Sequence, residues 1–239
     1  PDCTATLHNA AFYNCRKLKK LSVGTAISGI GSDEFMNDSQ LEHLIIRGKD
    51  SEATGLPLIL ERIAENITVS FCPNSSSPES IVFFPEYYEW LDEISPAHIF
   101  SRSIHGEGFR MRKSFENGIL NYRKYDSCLE NALTVESPES LCKIALNRLR
   151  WPSRLEDIFR EKYENVIKKY MGTAFTLAVK DQDFPMLQFI CEHFSPDASA
   201  LASAIDQCIE KEWGEGNAFL IEAKHKSFSK KTFDFDLDF

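Results

Sequence analysis

The chain has 239 residues, 43% hydrophobic and 26% charged, with 11 Gly and 10 Pro; this balance excludes disordered, collagen-like and disulfide-scaffold proteins and suits one large or two modest domains. Its 27 Lys and Arg against 36 Asp and Glu leave a net charge of −9, which argues against capture of nucleic acid by the surface as a whole, because neutralising phosphates needs a basic face. No apolar run reaches about 18 residues, so no membrane partner is expected, and seven cysteines without a Cys-x-x-Cys pair fit a reducing, cytoplasmic setting in which several serve as small core residues.

Taken from the N-terminus, Leu18-Lys19-Lys20-Leu21-Ser22-Val23 recurs 23 residues on as Leu41-Glu42-His43-Leu44-Ile45-Ile46, and again as Ala64-Glu65-Asn66-Ile67-Thr68-Val69. The closing alternation of each copy predicts a strand, with Leu21 and Val23, Leu44 and Ile46, and Ile67 and Val69 on one face. Leu56, Leu60, Ile63 and Ala64 between copies have helical spacing. A strand and helix this short cannot bury their own apolar face, so each unit must stack on its neighbours. On these copies residues 1–95 resemble a leucine-rich-repeat array. The family's Asn or Cys three residues beyond the last strand leucine is matched by Cys72 but not by Ala26 or Lys49, so the repeats are degenerate; a small mixed α/β domain with strands at this spacing is the alternative. After the loop 73–78, Ile81-Val82-Phe83-Phe84 reads as a fourth strand out of period.

Residues 96–125 form a basic connecting segment, in which Arg102, Arg110, Arg112, Lys113, Arg123 and Lys124 outnumber Glu107 and Glu116, with Phe109, Phe115 and Tyr122 among them. A basic strip with aromatics either solvates a junction between two domains or contacts an acidic peptide or single-stranded nucleic acid. Arg102, Arg110, Arg112 and Lys113 are its candidate binding residues.

Over residues 126–225 the repeat changes to 46, aligning the stretch from Asn131 to Leu141 with that from Leu177 to Leu187. Each copy reads as a short apolar helix, a polar turn and a second helix. Ser137-Pro138-Glu139 is a helix start, with a capping hydroxyl, a proline where no backbone donor is needed, and an acid at the positive end. Ser153-Arg154-Leu155-Glu156 has the capping-box form and predicts a long helix through Tyr170, closed by Gly172. The segment Gly172-Thr173-Ala174-Phe175-Thr176-Leu177-Ala178-Val179 and its sequel resemble an ankyrin repeat, with Ala174 in place of the usual proline and Gln182-Asp183 in place of the glycine turn; a generic α-helical domain is the alternative. The expected fold is thus an α/β leucine-rich-repeat-like solenoid followed by all-α ankyrin-like helical repeats. In the tail, residues 226–239, alternation places Phe233, Phe235, Leu237 and Phe239 on one side and three aspartates on the other, a form suited to adding to a sheet edge or filling a partner groove.

Catalytic patterns are wanting. Gly24, Gly29 and Gly31 lack a following Gly-Lys-Ser/Thr, His105-Gly106-Glu107 lacks the Pro-Cys-x-x-Cys that a zinc deaminase needs, and no Gly-x-Ser-x-Gly elbow occurs. No metal, no cofactor and no enzyme are expected. Ser140-Leu141-Cys142-Lys143-Ile144-Ala145-Leu146 with Trp151-Pro152-Ser153 resembles the SOCS-box and VHL-box helices, which dock on elongin C and recruit a cullin. That resemblance implies partner contacts through Leu141, Cys142 and Ala145; the alternative makes the same side chains core. Extended repeat surfaces imply protein binding, and the expectation is a protein–protein interaction scaffold, in its specific form an adaptor of a cullin-type ubiquitin ligase. An acidic-peptide or nucleic-acid binder using residues 102–124 is the alternative.

Overall fold

A computed structural model describes residues 3–38, 40–74, 77–94 and 99–231. Its strands are β1 (Thr6–Leu7), β2 (Lys20–Gly24), β3 (Gly29–Ile30), β4 (His43–Arg47), β5 (Ile67–Phe71), β6 (Ser80–Phe84), β7 (Tyr88–Ile94), β8 (Ile99–His105), β9 (Phe115–Glu116) and β10 (Ile119–Leu120). The helices are α1 (Leu56–Leu60), α2 (Gly108–Arg112), α3 (Tyr122–Ser127), α4 (Leu129–Val135), α5 (Pro138–Arg150), α6 (Asp157–Lys169), α7 (Met171–Lys180), α8 (Phe184–Phe194), α9 (Ala198–Glu210) and α10 (Gly214–Lys231). Two compact units divide the chain, Pro1–Glu161 and Lys162–Phe239.

The first unit is built on a four-stranded sheet in the order β2-β4-β5-β6. β2, β4 and β5 run parallel, and the first pair has the 23-residue register of the repeat, Leu21 beside Leu44 and Val23 beside Ile46. The second pair slips by two residues: Leu44 lies beside Val69 and Ile46 beside Phe71, where the repeat predicts Ile67 and Val69. A slip of two keeps every side chain on its face, because the strand period is two, so the buried stripe of Leu44, Ile46, Val69 and Phe71 survives. The expected leucine-rich-repeat solenoid is not what forms. The chain turns back after Phe71, and β6 pairs antiparallel with β5, Val69 opposite Val82, which ends the parallel stacking at three strands. β1 and β3 form a separate parallel pair, and β9–β10 and β7–β8 are separate two-stranded sheets.

The ankyrin-like solenoid is likewise overturned. Both predicted helix pairs exist, α4 with α5 and α7 with α8, but they serve different cores. α5 packs against β6 of the sheet, burying Leu141, Ile144, Ala145 and Leu149. α7 packs on α8 and α9, and α10 on α8 and α9, around Phe175, Leu187, Ile190, Leu201 and Leu220 in the second unit. Two helix pairs committed to separate cores cannot stack as successive repeats.

Local signals hold where the chemistry is local. The Ser137 side chain accepts from the Ser140 N–H with Pro138 in the first turn, and Asp183 and Asp197 cap α8 and α9 in the same way. The Ser153 box fails: Arg154 takes a left-handed φ of 49°, Ser153 Oγ donates to Asp50 Oδ2, and α6 starts at Asp157. Gly172 does not close that helix but lies inside α7.

Candidate functional site

β7 and β8 form a hairpin in register from Tyr88 opposite His105 to Ile94 opposite Ile99. No third strand joins it among the described residues, and neither strand packs extensively on another element. An isolated two-stranded sheet is marginal in water, and its outer edges present unpaired backbone donors and acceptors. Large apolar side chains nevertheless lie open on both faces: Trp90 is 56% exposed on one, Leu91 66% and Phe100 68% on the other. The base is well bonded by contrast. Arg112, buried beneath it, donates to the carbonyls of Pro85 (2.6 Å), Glu65 (2.7 Å) and Gly108 (3.0 Å) and lies 5.1 Å over the Tyr87 ring. Burial draws its guanidinium down to about 10, still charged at neutral pH. Gly106, at φ 91°, turns the chain out of β8; a Cβ there would lie 2.6 Å from the Glu86 carbonyl oxygen.

Beside the base of the hairpin lies a cleft of about 920 Å³ lined by the polar side chains of Glu86, His105, Glu107, Arg110 and Glu136, with Tyr88 and Phe109 as aromatic walls. Glu107, between β8 and α2, has a side chain 5% exposed, with Arg110 Nε 3.5 Å from Oε1; that oxygen has no hydrogen-bond partner. Its backbone N–H donates to Glu136 Oε1 at 2.7 Å, and Asn131 on α4 turns its amide oxygen to Arg110. Burial holds the Glu107 carboxyl above the ordinary value of 4.5, Arg110 and hydrogen bonds with the Cys128 and Asn131 side chains offsetting part of this, and burial raises Glu136 in the same direction. A carboxyl raised in the fold favours the protonated form, so its contribution to stability is full below about pH 4.5 and is lost as the pH climbs through the raised value. Glu107→Gln is therefore expected to be more stable than the native chain at about pH 7, with the gap closing toward about pH 4; thermal melts across that range check it, and a less stable variant at neutral pH would contradict the desolvation argument.

Elsewhere the chemistry is structural. A second cleft of about 420 Å³ is lined by Glu116, Arg123, Arg154 and Glu156 among others, but Lys124 pairs with Glu116, Arg123 with Glu156 and Arg154 with Asp50. His43 Nε2 lies 2.6 Å from Ser70 Oγ on the adjacent strand. Ser70 is buried and lines neither cleft, so the pair ties β4 to β5. Burial pushes the thiols of Cys128 to about 11 and of Cys142 and Cys191 to about 12, away from nucleophilic thiolates. Among the described residues no group of three or more His, Cys, Asp and Glu is placed to hold a metal ion, and no helix is long and apolar enough to cross a membrane.

The predicted binding residues separate. Leu141, Cys142 and Ala145 are buried in the α5–β6 core. Arg102 pairs with Glu89 on the hairpin, Arg110 with Glu107, and Lys113 with Glu61 while lying 5.7 Å over Phe109; Arg112 is the buried post just described. With Arg123 and Lys124 also paired, the strip is a set of matched charges and not a free basic face. Phe233, Phe235 and Phe239 lie outside the described residues. Sequence reasoning missed Trp90, Phe100, Glu107, Asn131 and Glu136. The Tyr88-Glu89-Trp90 alternation is the one signal for the hairpin, and nothing local marks Glu107 and Glu136, 29 residues apart, as neighbours. No protein-family model, no curated protein and no solved structure matches the chain.

Proposed function

We propose that this chain is a non-enzymatic protein-binding module whose β7–β8 hairpin takes an extended, positively charged segment of a protein partner as its third strand. The observation that carries this is the hairpin itself, seven residues to a strand, with no third strand on either edge among the described residues and with Trp90, Leu91 and Phe100 exposed. Strand addition satisfies edge groups by main-chain hydrogen bonds and covers alternate side chains, and exposed aromatics of this kind become anchors when a partner desolvates them. Charge selects the occupant. β7 carries Glu89, Asp92 and Glu93 against a single arginine on β8, Arg102, which pairs with Glu89, so the hairpin stays net acidic: pairing with the same strand of a second copy sets like charges together, whereas a basic segment complements them. The matched strip at 102–124 gives no comparable support to an acidic-peptide or nucleic-acid partner, nor does the buried α5 face to elongin C and a cullin.

The test is recovery of a binding partner by affinity purification, followed by measurement with the purified pair. Trp90→Ala with Phe100→Ala is expected to weaken the complex by about tenfold or more, and the partner is expected to slow amide exchange in Tyr88–Ile94. Undiminished binding by the double variant would overturn the reading. So would a dimer in sedimentation equilibrium abolished by the same changes, because the occupant would then be a second copy.

A further inference from the structure

The cleft at the base of the hairpin has a feature the hairpin does not explain. An ionised carboxylate in a wall 95% removed from solvent is costly unless paired and hydrogen-bonded, and Glu107 is compensated only in part: the Cys128 and Asn131 side chains hydrogen-bond its carboxyl, while Oε1 has no hydrogen bond of good geometry and Arg110 Nε stands 3.5 Å away. Arg110 is itself shared with Asn131. Glu136 spends one oxygen on the Glu107 N–H, and Glu86 is exposed on the same rim. Three carboxylates thus face one arginine and one histidine around a space of about 920 Å³. Two aromatic walls complete it, Tyr88, whose ring stacks on His105 at 4.9 Å, and Phe109, whose ring meets Tyr87 at 5.4 Å. Acids that can accept hydrogen bonds, beside aromatic faces, match a planar cation that donates in a fork and stacks on rings, which describes guanidinium better than ammonium.

Resting on the hairpin reading for where the partner lies, we propose that this cleft receives an arginine side chain of the partner's segment, its guanidinium held by Glu107 and Glu136 against Tyr88 or Phe109. The free protein keeps at Glu107 an acid whose burial Arg110 offsets only in part, because that acid gains a second, better-placed cation when the partner binds, the pattern of stability given up at a binding site. The arginine side chain then fixes the register of the added strand, because Glu86 and Tyr88 place the cleft at the beginning of β7.

The test uses the full chain and a single-residue probe, Nα-acetyl-arginine amide, titrated at low ionic strength and followed by the backbone amide resonances. Saturable shifts are expected at Glu107, Arg110, Asn131 and Glu136, weakening as salt is added. Glu107→Gln is expected to weaken the probe about tenfold, and Glu136→Gln, which keeps an acceptor for the Glu107 N–H, by a similar factor. Because Glu107→Gln is expected to stabilise the fold at neutral pH, loss of the probe cannot be assigned to unfolding. Nα-acetyl-citrulline amide, the neutral isostere, is expected to leave these resonances in place. An absence of saturable shifts, or equal shifts with citrulline, overturns the proposal. The probe is too short to add a strand, so its failure leaves the hairpin reading standing, and failure of the Trp90 and Phe100 variants to weaken partner binding leaves the titration unaffected.

Discussion

Arg148→Met is expected to cost the first unit about 3–5 kcal/mol, because it strands the buried Asp126 carboxylate without its cation. Both side chains are essentially inaccessible. Arg148 donates to both Asp126 oxygens, at 2.8 and 2.9 Å, and to the Ser153 carbonyl at 3.0 Å, and its guanidinium lies 4.4 Å over the Tyr122 ring. The Tyr122 hydroxyl, pushed up by burial and so a lasting donor, reaches Asp50 Oδ2 at 2.8 Å, and Arg154 reaches Asp50 Oδ1 at 3.0 Å. One continuous network therefore joins the residues after β4, helices α3 and α5, and the stretch leading to α6. Amide exchange in β4, β5 and β6 reads the loss directly, without requiring that two units unfold as one. Replacing both partners, Asp126→Leu with Arg148→Met, is expected to recover part of the loss, since no lone charge remains; the carbonyl of Ser153 stays unsatisfied, which limits the recovery. A single variant as stable as the native chain would show that the pair carries no net weight.

That network also shows where the sequence stops being informative. Leu21, Leu44 and the strands around them were legible because period-two alternation and a fixed repeat are local properties, and Ser137-Pro138 was legible because a cap depends on four consecutive residues. The leucine-rich-repeat expectation failed at one step: the returning strand at Ser80–Phe84 was visible as a strand, but its direction depends on a turn whose geometry no periodicity encodes. The ankyrin expectation failed because α4 with α5 and α7 with α8 share a pattern while their cores differ, and which surface an amphipathic helix covers is decided by the rest of the fold. Asp126 and Arg148 are 22 residues apart, and each alone reads as surface. The cleft was the least legible, since Glu107 and Glu136 gain meaning from burial and from one another. Of the residues singled out in the basic strip, Arg110 does line that cleft and Arg112 supports the hairpin base, in roles fixed by their carboxylate and carbonyl partners and not by free charge.

Leu141→Asp is expected to unfold the first unit outright, with a cost above about 4 kcal/mol. Leu141 is 1% exposed on the α5 face that packs against β6, among Cys142, Ile144, Ala145 and Leu149, and the helix is anchored above it by the Ser137 cap and below by the Arg148 pair. A carboxylate there has neither water nor a cation, and the truncation Leu141→Ala, which leaves only a cavity, is expected to cost about 2–5 kcal/mol. Exchange of the α5 and β6 amides, followed together, checks both; native protection in Leu141→Asp would mean that this face is not core. The consequence for function is direct. A partner that docked on Leu141, Cys142 and Ala145 would have to peel α5 from the sheet and expose Phe83 and Phe84 of β6, so loss of any binding in Leu141→Asp would report unfolding and not a docking contact. Trp90 and Phe100 carry no such ambiguity, because their side chains are already in solvent and their removal leaves the core as it was.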